Sequence, residues 1–243
     1  MFTKLAWTEI KLSLREPTVA VFALGFPLIL LYLLLNSFGT QPDPDFSGVN
    51  TADYYVPAYI AGTISALGLI AIPVHLAAYR ERGVLRRLRA SGISPGSVLV
   101  AQTLVSALIV GVAAIVMVAL GTASYELSSP SSWGTVILGT ALTTVTFCAI
   151  GVALASLLGS ARAAQAIGLL LFFGTFFVSG GGPPKEILPG GASLVADAFP
   201  FSHAVDVLQE AWWTGGWHST GAAVQIGVLI ACVVIAIRRL RYV

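Results

Sequence analysis

Six long apolar stretches, separated by short polar segments, form the main pattern of the sequence. They cover approximately residues 18–38, 55–78, 96–122, 134–158, 163–181 and 219–237. Each has about the 20 residues that a helix needs to cross the hydrocarbon core of a membrane. Prolines at positions 27, 57 and 73 lie inside the first two stretches and predict kinks there. The pattern predicts an all-α integral membrane protein with six transmembrane helices in one domain, residues 1–243.

The composition supports this prediction. Hydrophobic residues make up 56% of the chain and charged residues only 10%, and the mean hydropathy is +0.87. Soluble domains carry about 25% charged residues. A chain of this composition cannot cover a water-facing surface, so we expect most of it to lie in a lipid bilayer.

The polar segment between the second and third stretches, residues 79–95, is rich in arginine. It contains five arginines within ten residues: Arg80, Arg82, Arg86, Arg87 and Arg89. If residues 80–89 are helical, Arg82, Arg86 and Arg89 share one face, and the leucines at positions 85 and 88 line another. Gly92 then ends this helix, and Pro95 begins the next one. The pattern predicts a short amphipathic helix at the membrane surface.

This segment also has a simpler interpretation. Arginine-rich loops between transmembrane helices are commonly topology signals that contact anionic headgroups and do nothing more. The amphipathic order of residues 80–89 and the capping residues at both ends favour a functional helix, because a charge anchor needs neither of them.

Residues 1–17 predict a second amphipathic helix. At 100° per residue, Lys4, Lys11 and Arg15 fall in one narrow sector, whereas Trp7 and the apolar residues fall in the opposite arc. Such a helix lies in the interface plane of the membrane rather than crossing it. Pro17 follows and is expected to end it.

Charge is distributed unequally between the two sides that six spans create. The segments on the N-terminal side contain twelve of the 13 basic residues and three of the 11 acidic ones, so their formal charge is +9 against −7 on the other side. Basic loops of membrane proteins face the cytoplasm. We therefore expect both termini and residues 79–95 to be cytoplasmic.

The connection between the fifth and sixth stretches, residues 182–218, combines a helical pattern with charged residues. Ser202 is a candidate N-cap for a helix in which Val205, Leu208 and Trp212 share a face. Charged residues are costly at the bilayer centre. The pattern therefore predicts short re-entrant helices at the extracellular side.

Small residues in the fourth stretch predict close helix packing. Gly151, Ala155 and Gly159 recur at intervals of four residues and lie along one face. Stripes of this kind let a second backbone approach closely. We interpret this one as packing within the chain rather than as a dimer contact.

Several other chemistries lack the residues that they need. None of the six stretches contains Asp, Glu, Lys or Arg, although ion-driven pumps use ionisable groups at membrane depth. His75 lies on one predicted side and His203 and His218 on the other, so a shared haem or metal is not indicated. The glycines before Lys185 lack the GxxxxGK[ST] pattern of a phosphate loop. We expect no metal, cofactor or nucleic acid on this chain, and a partner that supplies the energy.

Three segments lie in a defined order around the apolar stretches. WTEIKLSLREP precedes the first stretch, RERGVLRRLRASGISP follows the second, and FFVSGGGPPKEILP with AFPFSHAVDVL follows the fifth. The middle segment places an acidic residue, a glycine, leucines and a basic residue before a small-residue turn: Glu81, Gly83, Leu85, Leu88 and Arg89. In this order around six stretches, the chain resembles the membrane permease subunit of type-2 ATP-binding-cassette exporters. That bacterial family exports drugs, polyketides, and cell-envelope glycolipids or polysaccharides.

The resemblance implies an assembly. Two permeases, identical or different, would face each other in the bacterial inner membrane, and two cytoplasmic ATPase subunits would hold the ATP and Mg²⁺. The ATPases would dock on a coupling helix in residues 79–95 and on the N-terminal helix. The implied contact residues are Glu81, Arg82, Gly83, Leu85, Arg86, Leu88 and Arg89 in the first segment and Trp7, Lys11 and Arg15 in the second. The chain itself would be a transport subunit and not an enzyme.

The resemblance also implies an extracellular gate after the fifth stretch. Its residues are Gly180, Pro183, Glu186, Pro189 and Pro200. The aromatic residues of the fifth stretch are candidates for lining the pathway, although such a series more often packs in a core or against lipid: Phe172, Phe173, Phe176 and Phe177.

Three functions stay open at this point. The first is export of a hydrophobic or amphipathic compound with a separate ATPase, and the second is export of an envelope polymer on a lipid carrier. The third is a membrane scaffold or sensor that transports nothing. The short loops on the extracellular side favour small cargo, and an ATPase that co-purifies with the chain would exclude the third.

Overall fold

The computed structural model describes residues 21–22, 25–38, 41–42, 44–90, 92, 95–184, 187 and 190–240. Within these residues the regular structure is entirely helical, as predicted. The α-helices are α1 (Phe26–Phe38), α2 (Thr51–Ala66), α3 (Ile72–Glu81), α4 (Val84–Ala90), α5 (Pro95–Ser124), α6 (Trp133–Leu157), α7 (Ala161–Val178), α8 (Gly190–Asp197), α9 (Pro200–Trp213) and α10 (Ser219–Leu240). A π-helical segment, Leu67–Ala71, joins α2 to α3, and a 3-10 turn, Pro44–Phe46, precedes α2.

Five helical segments among the described residues are long and apolar enough to cross a membrane. They are Pro44–Glu81, Val100–Ser124, Trp133–Leu157, Ala161–Val178 and Ser219–Arg239. The predicted first span begins at residue 18, and the described residues cover it in part, at 21–22, 25 and in α1. Helix α1 is shorter than the other five. The all-α membrane fold is confirmed, and the count of six spans stays a prediction.

The second span is the centre of the bundle. Every residue of α2 is buried, including the polar Thr51, Asp53 and Thr63. Other helices surround it, so it has no face toward lipid. Helix α2 therefore lacks the amphipathic pattern of a surface helix. It starts at Thr51, four residues before the predicted start at residue 55. Asn50 caps this start by accepting a hydrogen bond from the backbone N–H of Asp53 at 2.7 Å.

The helical hydrogen-bond pattern changes in the middle of this central span. Pro73 has no backbone N–H, so it cannot donate to the carbonyl of Leu69 four residues earlier. Residues Leu67–Ala71 form a π-helical segment, and the N–H of Ile72 bonds instead to the carbonyl of Leu67. Proline and π-bulges are the usual causes of kinks in helices. The kink predicted near Pro73 thus coincides with a change of helix type.

Glycines let two neighbouring helices approach this segment backbone to backbone. A Cβ placed on Gly68 would lie 2.5 Å from the carbonyl oxygen of Phe147 in α6. A Cβ on Gly151 of α6 would overlap the carbonyl of Gly68, and one on Gly168 of α7 would overlap that of Leu69. No side chain fits at these three positions. The central π-helical segment is therefore clamped between α6 and α7.

The small-residue stripe in α6 is a packing surface, in part. Gly151 meets the central span, and Ala155 is buried. Gly159 lies beyond the end of α6, where a Cβ would meet nothing within 4 Å. The stripe thus packs within the chain, as predicted, but does not extend to Gly159.

The helices end in two regions of opposite charge. The arginine-rich end comprises residues 80–83, α4, residues 158–162 and the last turn of α10, and the carboxylate-rich end comprises α8, α9, residues 41–53 and residues 125–132. Among the described residues, the first end holds eight arginines and one acidic residue, whereas the second holds six carboxylates and no basic residue. The separation of charge matches the prediction from the sequence. Which end faces the cytoplasm stays a prediction.

The glycine contacts predict a specific effect on stability. Gly168→Ala should lower the thermal stability of the detergent-solubilised protein by about 1 to 3 kcal/mol, because the new Cβ overlaps a backbone carbonyl that cannot move aside. The matched control is Gly174→Ala on the same helix, where a Cβ would meet nothing within 4 Å. Thermal unfolding measures both variants. Equal melting temperatures would contradict the proposed close packing at Gly168.

Candidate functional site

The predicted coupling segment folds as the end of one helix, a turn and a second short helix. Helix α3 ends at Glu81, Arg82 and Gly83 form the turn, and α4 follows. The single helix predicted for residues 80–89 is wrong at Gly83, which has a φ of 67°. A left-handed residue ends an α-helix, and glycine adopts that conformation without strain. Gly92, with a φ of 77°, and the start of α5 at Pro95 agree with the prediction.

Two adjacent residues at the end of α3 hold the loop that joins α6 to α7. Arg80 donates from Nη1 to the carbonyl of Ala155 at 3.2 Å, and from Nη2 to the carbonyl of Leu158. Glu81 accepts, at Oε1, a hydrogen bond from the backbone N–H of Ala161 at 3.2 Å. We call Arg80, Glu81 and these three backbone groups the loop clamp.

The charges of the loop clamp match the helix termini that they contact. Ala155 and Leu158 supply carbonyls at the C-terminal end of α6, which carries partial negative charge, and the Ala161 N–H belongs to the positive N-terminal end of α7. The guanidinium of Arg80 is attracted to the C-terminal end of α6, and the carboxylate of Glu81 is attracted to the N-terminal end of α7. Consecutive residues of a helix point about 100° apart, so the pair reaches both ends of one short loop. The clamp fixes α3 to α6 and α7 together.

The other predicted contact residues divide into three groups. Arg82 and Arg87 are exposed, and Arg87 Nη2 donates to the Arg82 carbonyl at 3.4 Å; Gly83 and Leu85 are half-buried. The backbones of three more lie in α4, with side chains outside the described residues: Arg86, Leu88 and Arg89. The N-terminal residues lie entirely outside the described part of the chain: Trp7, Lys11 and Arg15.

At the carboxylate-rich end, two tyrosine hydroxyls of α2 hold the segment that follows α7. Tyr59 donates to the carbonyl of Gly181 at 2.9 Å, and Tyr55 donates to the carbonyl of Gly182 at 2.9 Å. Both rings are fully buried. The segment predicted to form a gate is thereby fixed to the central span.

The structure places three of the five predicted gate residues. Gly180 has a φ of 90°, which a residue with a side chain rarely adopts. Pro183 is exposed, and Pro200 is the first residue of α9. The remaining two, Glu186 and Pro189, lie outside the described residues.

Helix α9 is also fixed to the start of the central span. Its Trp213 donates from Nε1 to the carbonyl of Asp53 at 2.9 Å, and its Gln209 donates to the carbonyl of Tyr54 at 3.1 Å. The Asp53 carboxylate accepts a further hydrogen bond from the N–H of Ser128 at 2.9 Å. These contacts join α9, α2 and the loop between α5 and α6 at one point.

The helix predicted at Ser202 exists but starts earlier. It begins at Pro200, because proline has the φ that a first helical position needs, and no side chain caps it. The N-cap role predicted for Ser202 is therefore wrong. The predicted apolar face is confirmed, since Val205, Leu208 and Trp212 are at most 2% exposed.

The aromatic residues of α7 belong largely to the core of the chain. Phe172 and Phe176 are fully buried, whereas Phe173 is half-buried and Phe177 is 45% exposed. Phe176 is the centre of the cluster, with ring centroids 5.5 to 5.6 Å from those of three rings on α1, α2 and α9: Phe26, Tyr59 and Phe201. In this chain the series packs helices together, and a role in lining a pathway stays a prediction.

Sequence reasoning missed the residues that make these connections. In the sequence, Arg80 is one arginine among five, and the tyrosines at positions 55 and 59 belong to an apolar stretch. A signal was present, because a hydroxyl inside a membrane span needs a hydrogen-bond partner. The identity of the partner was not predictable, since Gly181 lies 122 residues away from Tyr59 along the chain.

The polar contacts at both ends join side chains to backbone groups. They involve carbonyls and amides at helix termini and in loops, and they position helices rather than activate a substrate. Within the part of the chain that the structure describes, no group of three or more His, Cys, Asp or Glu residues could hold a metal ion.

The sequence matches the model of a protein family described as ABC-2 type transporter, over residues 2–213. The chain belongs to this family. The matched region begins in the predicted N-terminal helix, includes α4 and the loop clamp, and ends with the last residue of α9. A search among curated proteins found no match.

Family membership makes the protein a permease component of an ATP-binding-cassette transporter. It is a transport component rather than a catalytic one, and it is a multi-pass membrane protein. Membership also implies association with an ATP-binding subunit. The resemblance noted in the sequence is thus confirmed at the level of the family.

The loop clamp predicts a loss of stability when its cation is removed. Arg80→Met should destabilise the permease by about 1.5 to 3 kcal/mol, because two carbonyls lose a charged donor. The matched control is Arg82→Met, two residues away and exposed. Thermal unfolding of both variants in one detergent provides the comparison. An equal change in both would show that the Arg80 contacts do not hold the loop.

Proposed function

We propose that the permease exports a hydrophobic or amphipathic compound, such as a drug, a polyketide or a lipid-like molecule. Two permease copies form the pathway, and two cytoplasmic ATPase subunits drive it. The observation that carries this proposal is the loop clamp, because it connects the arginine-rich end to α7, the helix that leads to the predicted gate. The chain binds no cofactor in this scheme, and ATP and Mg²⁺ are held by the ATPases.

The location of charge supports an external source of energy. No Asp, Glu, Lys or Arg lies inside any of the six apolar stretches, and the one histidine there, His75, lies near the arginine-rich end of its stretch. The spans therefore lack a chain of ionisable groups across the membrane, which an ion-driven pump needs. Basic loops of proteins in a bacterial inner membrane face the cytoplasm, and this rule assigns the arginine-rich end to that side. In this proposal both termini and α4 lie in the cytoplasm, where ATPase subunits are available.

Helix α4 is suited to receive the movement of an ATPase. It carries exposed Arg87, and Arg82 is exposed in the turn before it. Only this two-residue turn separates α4 from Glu81. A displacement of α4 therefore acts directly on the loop clamp, and through it on α6 and α7. In this role Glu81 transmits force within the permease, in addition to any contact with the ATPase.

Helix α7 connects the clamp to the predicted gate. Its first residue, Ala161, donates to Glu81, and soon after its last residue, Val178, come the two carbonyls that the tyrosines bind. At 1.5 Å per residue its 18 residues span about 27 Å. Packed helices move as rigid bodies in transitions of this kind. A shift at the arginine-rich end would thus reach Gly181 and Gly182.

The alternative cargo, an envelope polymer on a lipid carrier, would need a wide channel lined by aromatic rings. Phe172 and Phe176 are packed against other helices of the same chain, so these two rings do not supply such a lining. This packing favours small cargo. A scaffold or sensor without transport is disfavoured by membership in a transporter family.

A charge reversal on α4 tests the docking of the ATPase. Arg86→Glu combined with Arg87→Glu should abolish co-purification of a Walker-motif ATPase and ATP-driven transport, while membrane insertion stays intact. The physical reason is repulsion between the new carboxylates and an acidic groove on the ATPase. Pull-down in mild detergent and transport into inverted vesicles provide the measurements.

The matched control makes the same change of charge at the same end of the bundle. Arg238→Glu combined with Arg239→Glu alters two exposed arginines in the last turn of α10. This variant should retain the ATPase. Unchanged export by the α4 variant, or an equal defect in the control, would rule out α4 as the docking helix.

The tyrosine contacts predict a looser gate when one hydroxyl is removed. Tyr59→Phe preserves the buried ring and removes the donor to Gly181, which should weaken the closed segment by about 0.5 to 1.5 kcal/mol. Hydrogen exchange at the backbone amides of residues 180–182 should then accelerate by about 2- to 13-fold. Tyr32→Phe, at an exposed position of α1, is the control. Exchange rates unaffected by Tyr59→Phe would contradict the gate contact.

A further inference from the structure

A long apolar groove runs between α5 and α6 on the surface of the bundle. Its volume is about 750 Å³. Small residues of α5 face it at intervals of four and three positions, namely Ala107, Gly111 and Ala114, and leave the space unfilled. Its floor includes Ile60 of the central span and Trp212 of α9, which are both buried.

The lining of the groove contains no charged residue, and its few hydroxyls are threonines. Thr144 donates back to the carbonyl of Thr140 at 2.7 Å, so that hydroxyl is already used within α6. Apolar cavities of this kind do not hold ordered water. An empty groove would also lose the dispersion contacts that its walls need. An apolar occupant needs no hydrogen bonds from the walls of the groove, and it restores their dispersion contacts.

The dimensions of the groove restrict the occupant. Along α5 the lining extends from Thr103 to Ala119, which corresponds to about 24 Å at 1.5 Å per residue. A hydrocarbon chain can lie along a groove of this length.

The groove is continuous with the lipid-facing surface. Four residues along its margins are 43% to 70% exposed on the outside of the bundle, on helices that cross the membrane: Leu104, Ile115, Ile137 and Val145. The groove is therefore open sideways to the bilayer along its length. Its lining includes no residue of the loop clamp or of the aromatic cluster around Phe176.

The groove is closer to one membrane surface than to the other. On α6 its lining starts at Trp133, the first residue of the helix, and stops at Val145, about 18 Å short of Leu157. Trp133 is 53% exposed, as is typical of a tryptophan at headgroup level. The headgroup of a lipid in the groove therefore lies at the carboxylate-rich end.

The charge at that end selects among headgroups. Its described residues include Glu126 in the loop before α6 and Glu210 on α9, and none of them is basic. A headgroup with an ammonium group is attracted to such a surface, whereas one with a net negative charge is repelled. Phosphatidylethanolamine has the required ammonium group and no net charge.

From these observations we infer that the groove between α5 and α6 binds one acyl chain of a zwitterionic phospholipid, with its ammonium headgroup beside Trp133. The lipid is a structural ligand of the permease that occupies the space between two spans. This role is independent of the proposed cargo, of the transport direction and of the ATPase.

The test is native mass spectrometry of the full-length permease. The protein is reconstituted with equal amounts of phosphatidylethanolamine and phosphatidylglycerol that carry identical acyl chains, and is then extracted in mild detergent. We expect one phosphatidylethanolamine per chain to be retained. Gly111→Leu should reduce its retention at least tenfold, because a Cβ at Gly111 has open space in the groove and the leucine side chain fills it.

Two further variants make the result specific. Gly227→Leu is the matched control, since its Cβ would also meet open space but lies on α10, outside the groove. Ala114→Leu is a second filling variant on α5 for the case in which Gly111→Leu does not fold. Thermal unfolding checks the folding of all three.

Each other outcome overturns a defined part of the inference. Undiminished retention in both filling variants, or an equal loss in the control, excludes the groove as the site. Equal retention of phosphatidylglycerol excludes selection by the headgroup. A retained compound that is not a phospholipid would show that the groove binds cargo instead.

Discussion

The structure depends on how a largely buried transmembrane span satisfies its backbone where the helix is interrupted. In a bilayer, an unpaired carbonyl finds no water, so a break in a helix is tolerated only where protein surrounds it. Pro73 causes such a break, and the π-helical segment before it is pressed between α6 and α7. Gly151 and Gly168 permit this approach because any side chain there would overlap a carbonyl. Three spans are thereby held at one level in the bundle.

The two ends of the bundle use a common kind of contact for different purposes. At the arginine-rich end, Arg80 and Glu81 bind backbone groups at the termini of α6 and α7. At the carboxylate-rich end, the hydroxyls of Tyr55 and Tyr59 bind carbonyls after α7. Because all four side chains come from the second span, this span controls both ends of α7. An ABC-2 permease built in this way can transmit a displacement between its two ends without any ionisable group at mid-depth.

The groove between α5 and α6 follows from the way in which the helices pack around the second span. The second span contacts α5 and α6 along their inner faces, and α10 packs extensively against α6, whereas small residues on α5 leave space on the outer side. Since lipid tails are as apolar as the side chains, no hydrophobic force closes such a gap. A lipid chain is the occupant that the bilayer supplies.

The sequence by itself determined the helical class, most span positions, the separation of charge and the short helices near residues 84–90 and 200–213, because these follow from local composition and periodicity. Gly92 and Pro95 were also predictable, since their backbone preferences are intrinsic. Only the tertiary structure decided that the second span is central, that Gly83 breaks the predicted helix, and that Arg80 and Glu81 bind a loop about 75 to 80 residues away. Such contacts depend on which helices become neighbours, and in a uniformly apolar chain the hydrophobic pattern does not distinguish one neighbour from another.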